Sequence, residues 1–209
     1  MSRLNDLIAE LCPDGVEYRR LGEIAEIRSG WGFPNKEQGL LSGDLPFYKV
    51  GDMNHPQNLF YMSVADNYIS YETAKKLKCK PAPKDTIIFP KIGAAISTNK
   101  KRMLSAEACY DNNVMGIIAK KQVMARYLYF LFDGCNLMNF SNGEGAVPSI
   151  RKSSIEDWTI PVPPLEVQRE IVRILDNFTG FTAELTAELT ARKKQYEYYR
   201  DKLLNFKEL

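Results

Sequence analysis

Apolar residues Leu4, Leu7, Ile8 and Leu11 recur three and four positions apart, forming one face of a short helix over residues 3–11 that Pro13-Asp14-Gly15 stops. We read it as an N-terminal docking helix. From Val16 to about Ile160 the pattern changes to short apolar runs split by Gly, Pro and Asn: Ile24 to Ile27, Leu45 to Val50, Thr86 to Phe89, Val114 to Ala119 and Trp158 to Val162. These predict strands of an irregular β-rich domain, with Tyr127 to Phe132 on a packed helix. Pro161-Val162-Pro163-Pro164 ends that domain, because proline lacks the donor a strand or helix interior requires yet suits the first turn of a helix. The expected fold is α+β: a domain over residues 1–163, then a long C-terminal coiled-coil helix over 164–209.

Within that helix the apolar positions are Ile171, Ile174, Phe178, Phe181, Leu185, Leu189, Tyr196, Tyr199, Leu203 and Phe206, with Arg192 in the intervening seam position. The spacings alternate between three and four, as in a coiled-coil seam, except for a doubled four that ends at Leu189. That stutter locally unwinds a supercoil. It coincides with a tandem repeat, Thr182-Ala183-Glu184-Leu185 then Thr186-Ala187-Glu188-Leu189. A helix of about 40 residues runs about 60 Å, longer than the domain is wide, so the seam calls for a partner beyond its own domain. A helix packed wholly on its own domain is the alternative.

Composition narrows the function. The chain has 209 residues, 44% hydrophobic and 26% charged, ordinary values for a folded soluble protein. No apolar run approaches a membrane span, and the N-terminal stretch carries charges through its apolar positions, so a cytoplasmic chain with no membrane association is expected. Cys12, Cys79, Cys109 and Cys135 lie far apart, and His55 is the sole histidine. Buried thiols are expected, and no metal site. A methyltransferase would need a glycine-rich cofactor loop and a polar residue before Pro-Pro, but Pro163-Pro164 follows Val162. Asn142-Gly143-Glu144-Gly145 is a lone G-x-G. No Asp or Glu stands two residues before a Lys, the spacing of common metal-dependent nucleases. No catalytic residue is assigned.

The net charge is only +2, so a nucleic-acid surface must be local. Between Lys75 and Arg102 nine basic residues face one acid, Asp85. A solvated lysine face is one reading, and a phosphate-contacting surface the other. Ser97-Thr98-Asn99-Lys100-Lys101-Arg102 favours the second, since Asn and Arg can read adenine and guanine edges bidentately. Lys91 precedes it. A second candidate loop, Ser29-Gly30-Trp31-Gly32-Phe33-Pro34-Asn35-Lys36, offers Ser29, Trp31, Phe33 and Lys36; its rings either touch bases or plug the sheet.

Arg28-Ser29-Gly30, then Pro46-Phe47-Tyr48-Lys49-Val50-Gly51-Asp52-Met53, Asp85-Thr86-Ile87-Ile88-Phe89 and Gly143-Glu144-Gly145-Ala146-Val147-Pro148-Ser149-Ile150 together resemble a target recognition domain of the specificity (S) subunit of type I restriction-modification systems. The segment from Ile160 to Val172 is similar to the start of that family's conserved helix. The tandem Thr-Ala-Glu-Leu repeats, followed by Arg192-Lys193-Lys194-Gln195-Tyr196, look like the central spacer of its IC subfamily. The resemblance implies a non-catalytic subunit that reads double-stranded DNA and docks two modification subunits, which bind S-adenosylmethionine and methylate adenine. A restriction subunit with ATP and magnesium then joins, so no cofactor is expected on this chain. A full specificity subunit carries two recognition domains and two conserved helices, whereas one of each is present here. The expectation is a half-subunit that forms an antiparallel homodimer through its C-terminal helices and reads an interrupted palindrome.

Two competing readings remain at this point: a stand-alone DNA-binding regulator, and a coiled-coil adaptor whose basic face is incidental.

Overall fold

The computed structural model describes residues 2–142 and 147–206. Gly143 to Ala146, part of the lone G-x-G and of the last stretch quoted for the resemblance, lie outside the described residues.

Chain order is α1 (Ser2–Leu11), β1 (Tyr18–Arg20), α2 (Leu21–Ile24), β2 (Ala25–Ser29), β3 (Leu45–Tyr48), β4 (Tyr61–Met62), β5 (Tyr68–Ile69), α3 (Tyr71–Lys76), β6 (Ile87–Pro90), β7 (Arg102–Leu104), β8 (Cys109–Tyr110), β9 (Val114–Ala119), α4 (Ala125–Asp133), β10 (Ser141–Asn142), β11 (Ser149–Ile150), α5 (Lys152–Glu156), β12 (Thr159–Pro161) and α6 (Leu165–Leu204). The fold is α+β with a long C-terminal helix. The five apolar runs all carry strands, although the first yields a helical turn through Ile24 before β2 begins. Five strands pair in the order β2-β9-β6-β7-β4, and a second sheet runs β5-β3-β8. In the first, Ala25 and Ile27 of β2 stand opposite Ala119 and Ile117 of β9. Both faces of β6 and most of β9 are buried, which is why those two read as unbroken apolar runs.

Strand β1 zips antiparallel onto β12, with Tyr18 opposite Pro161. The start and finish of the domain therefore meet at the root of α6. There Val167 and Gln168 are buried, and Gln168 ties helix to domain through three hydrogen bonds. Its Oε1 accepts from Met124 N at 2.8 Å, and its Nε2 donates to Gln122 O at 3.1 Å and Pro163 O at 2.8 Å. Two turns later Arg126 on α4 donates to Asp176 at 2.7 Å while its guanidinium lies 3.7 Å from the Phe60 ring centre. Helices α1 and α4 both pack on α6.

That docking corrects the seam at its N-terminal end. Ile171 packs against the domain core, so it serves the domain before any partner, and Ile174 is half-buried. Among the thiols, Cys12, Cys79 and Cys109 are buried and Cys135 is half-buried; all four are free. No helix among the described residues is long and apolar enough to cross a membrane.

Candidate nucleic-acid interface

The loop after β2 is set by a backbone crossing. Gly30 passes so close to the next strand that a Cβ there would overlap the carbonyl oxygens of Asp111 and Tyr110. Trp31 N then donates to Tyr110 O at 3.0 Å, and the indole lies tilted on the buried Tyr110 ring, centroids 5.8 Å apart. Phe33 stacks on buried Phe47 at 3.8 Å. Trp31 and Phe33 are half-buried and each packs against one core aromatic ring, as a plug of the sheet does. Ser29 accepts from Lys91 Nζ at 3.1 Å, joining the two candidate segments. Burial lowers the Lys91 pKa, partly countered by Asp111. Lys36 is exposed at the tip.

Most side chains of the Ser97–Arg102 stretch make hydrogen bonds within the protein. Ser97 and Thr98 spend their hydroxyl protons on Ala94 O and Ala95 O, both at 2.7 Å. Asn99 sits in the left-handed region at φ 53°, and its side-chain oxygen accepts from Lys101 Nζ at 3.0 Å and Leu137 N at 2.8 Å. Bidentate reading of adenine needs that oxygen free. Lys101 is 1% exposed, its ammonium also donating to Asp133 O and Cys135 O, and burial lowers its pKa. Arg102 turns inward onto the carbonyls of Asn58, Lys101 and Met53. Both cations are turned to acceptors of the protein itself. Lys100, half-buried, is bonded to Asn54.

The exposed part of the basic stretch is α3 and the loop behind it, where Lys75, Lys78, Lys80 and Lys84 are exposed. Ser70 caps α3 by accepting from Thr73 N at 3.1 Å, and the lysines fall at its C-terminal end, where the helix dipole favours cations. Two contacts bring this surface beside the β2 loop. Lys76 pairs with Glu37 at 2.8 Å, and Arg28 donates to Pro81 O at 3.2 Å. Lys36 and the α3 lysines therefore lie on adjoining segments. The sequence signal for this exposed basic face was the raw count of cations.

Among the described residues, Asp52, His55 and Asp66 bring three ligand-type atoms within 4.8 Å of one another. Asp52 already accepts from Lys49 N at 2.6 Å and Asp66 N at 2.8 Å, and His55 bonds Asp66 at 2.9 Å. The cluster is a loop clasp.

Beyond the domain, α6 leaves its apolar seam uncovered. Phe178, Phe181, Leu185, Leu189, Tyr196, Tyr199 and Leu203, with Phe206 just past the helix end, are each 50–80% exposed. Beside the seam a groove of about 960 Å³ runs between α6 and the domain, with Leu59, Phe60 and Phe130 on one wall and Phe178, Thr182 and Thr186 on the other. Thr182 and Thr186 donate to the carbonyls four residues back, at 2.8 and 2.7 Å, so their hydroxyl protons are already satisfied.

Residues 13–193 match the family described as Type I restriction modification DNA specificity domain. The chain belongs to that family. This type I specificity chain is 30% identical over 203 residues to the putative type I restriction enzyme specificity subunit S.HindORF215P of Haemophilus influenzae, covering 93% of this chain and 47% of that protein. To the Escherichia coli EcoR124I/EcoR124II specificity subunit it is 28% identical, covering 91% and 48%. The chain spans about half the length of these curated relatives. Its fold is shared with the HsdS subunit from Thermoanaerobacter tengcongensis, at TM-score 0.61 and 18% identity, covering 90% of this chain and 45% of that one. It is shared also with a chain from a structure of type I R-M complex assembly, at TM-score 0.67 and 19% identity, covering 93% and 48%.

Proposed function

We propose that this chain reads DNA sequence for a type I restriction-modification enzyme, and that modification and restriction subunits carry out methylation and cleavage. The observation that carries this reading is the family match over residues 13–193, which spans the β-rich domain and most of α6. The exposed lysines of α3 and Lys36 hold the phosphate backbone, fixing the domain on the duplex while neighbouring loops meet base edges. S-adenosylmethionine, ATP and magnesium bind the partner subunits, and this chain works in the cytoplasm without a catalytic residue of its own.

The uncovered seam of α6 takes a second copy of this chain. Two antiparallel helices place the recognition domains at opposite ends, so the dimer reads an interrupted palindrome. The test is reconstitution with a cognate modification subunit and labelled S-adenosylmethionine, mapping the methylated adenines. Methylation at two inverted half-sites, requiring both proteins, is the expected result. Sequence-specific methyl transfer by this chain alone would overturn it.

A further inference from the structure

Strands β2 and β6 finish where β9 begins, since both run antiparallel to it, with Ser29 opposite Met115 and Pro90 opposite Val114. At that end of the sheet the Asp111–Val114 turn joins β8 to β9, closed by Val114 N donating to Asp111 O at 3.0 Å. Three further backbone bonds clamp it: Asp111 N to Tyr48 O at 2.9 Å, Gly30 N to Val114 O at 3.0 Å and Lys91 N to Asn113 O at 2.9 Å. The ends of β2, β3 and β6 thus hold the turn in place. Asp111, 8% exposed, accepts from the backbone N of Asn113 at 3.0 Å and from its side-chain Nδ2 at 3.1 Å. Asn113 itself is half-buried. No donor among the described residues reaches its Oδ1, in contrast to the side-chain oxygen of Asn99. Cations flank the turn. Lys91 and Lys49 both lie within charge-interaction range of Asp111. Lys49 is bonded to Gln38 and lies 5.7 Å from the centre of the Phe33 ring, on the loop that carries exposed Lys36.

We infer that this turn reads bases, with Asn113 recognising an adenine in the major groove and Asp111 positioning its amide. This rests on the DNA-reading function proposed above and names a reading side chain for it. Adenine presents N7 as an acceptor and N6–H as a donor, and an asparagine meets both with Nδ2 and Oδ1. Asn113 keeps what this needs: its Oδ1 and the second proton of Nδ2, the first being given to Asp111. The carboxylate also fixes the polarity of the amide, because a flipped side chain would turn Oδ1 against an anion. Guanine offers acceptors at both N7 and O6, so the fixed Oδ1 would face O6 with no proton between them. The anchor therefore separates the two purines, and it removes rotamer freedom before DNA arrives. The neighbouring lysines hold phosphates, which sets the position of the domain without reading sequence.

The test uses the assembled enzyme, this chain with a cognate modification subunit, titrated with duplexes carrying the site mapped by methylation. At each A·T pair other than the methylated one, 7-deazaadenine replaces adenine, which deletes N7 and leaves N6. At least one such pair should cost the native assembly about fivefold in affinity. Asn113→Ala should bind the deaza and ordinary duplexes equally, lose about tenfold on the ordinary site, and accept G·C at that pair nearly as well as A·T. Its backbone bonds with Asp111 and Lys91 remain, so its melting temperature should stay close to that of the native chain. The modified duplexes report on the native chain, so the answer does not depend on how the variant folds. Asp111→Asn, or Asp111→Ser should a second amide crowd the turn, retains an acceptor for Asn113 N. Either should narrow the preference for A·T over G·C at the same pair, whereas a purely structural role would weaken all sequences alike.

No sensitivity to 7-deazaadenine at any pair overturns the reading role of Asn113 and leaves the DNA-reading function standing. So does an Asn113→Ala variant that keeps every native base preference or weakens all sequences equally. An unchanged A·T preference in the Asp111 variants, or an equal loss on all sequences, overturns the positioning role. A native assembly that methylates without sequence preference overturns the proposed function itself.

Discussion

Lys101 donates its ammonium to the side-chain oxygen of Asn99 at 3.0 Å, beneath the corner that leads into β7. The same ammonium reaches the carbonyls of Asp133 and Cys135, so one cation ties the 93–98 turn to the end of α4. Replacing it with an apolar isostere, Lys101→Met, removes the ammonium from the carbonyls of Asp133 and Cys135 and one of the two donors from the Asn99 side-chain oxygen, which keeps Leu137 N. We expect a loss of about 2–4 kcal/mol in unfolding free energy, measured by urea titration. A cost under about 0.5 kcal/mol would mean that this cation does not hold the corner.

Under the proposed function, Lys36, Lys75, Lys78 and Lys80 contact the DNA phosphates. Each phosphate contact contributes about 0.9 to the slope of log affinity against log salt on B-DNA. Changing all four to glutamine should flatten the slope of the assembled enzyme by up to about 3.6, with thermal stability nearly unchanged because all four are exposed. An unaltered slope would move the interface elsewhere.

Gln168 carries the joint between helix and domain. Gln168→Leu removes three hydrogen bonds and orphans Met124 N and the carbonyls of Gln122 and Pro163. A destabilisation of about 2–4 kcal/mol is expected, together with faster amide exchange at the first turns of α6. Unchanged protection there would show that the apolar contacts of Ile171 and Val172 suffice.

Alkaline pH should unfold the protein through its buried phenols. Burial raises the pKa of Tyr48, Tyr110 and Tyr129, and pushes Tyr127 up to about 12, against about 10 in the unfolded chain. Above pH 10 the folded state therefore keeps protons that the unfolded state releases, and stability falls as pH rises. Each phenol contributes at most about 1.4 kcal/mol per pH unit. Lys91 and Lys101, whose pKa values burial lowers, act with the opposite sign below about 10.5. Urea midpoints at pH 8 and pH 11 measure the net loss, and Tyr127→Phe should reduce its slope. Equal slopes would exclude that phenol.

The tandem repeat acts as a ruler if two copies pair through α6. Deleting Thr186 to Leu189 removes about 6 Å of helix and about 400° of rotation, so the seam turns by only about 40° and survives. The two domains approach by about 6 Å, and the spacer between half-sites should shorten by one or two base pairs with the half-sites themselves unchanged. Mapping methylated adenines with a modification subunit measures both. Deleting two residues instead turns the seam by about 200° and should abolish assembly.

Periodicity alone determined the helices at both ends, the strand runs and the exposed seam, because those depend on spacings of two, three and four that the chain carries locally. The Thr-Ala-Glu-Leu repeat and its stutter are likewise properties of the one-dimensional pattern. What Lys101, Arg102 and Asn99 do was decided by tertiary structure. Their side chains are satisfied by carbonyls and amides from residues 53, 58, 133, 135 and 137, brought beside them only when β7, α4 and the intervening turns pack. A cation reads the same in sequence whether it meets a phosphate or a buried carbonyl, and only the fold supplies the acceptor. Ile171 follows the same rule: the seam repeat placed it with Phe178, and the domain lying against the first turns of α6 packs on it while leaving Phe178 and the residues beyond it in solvent.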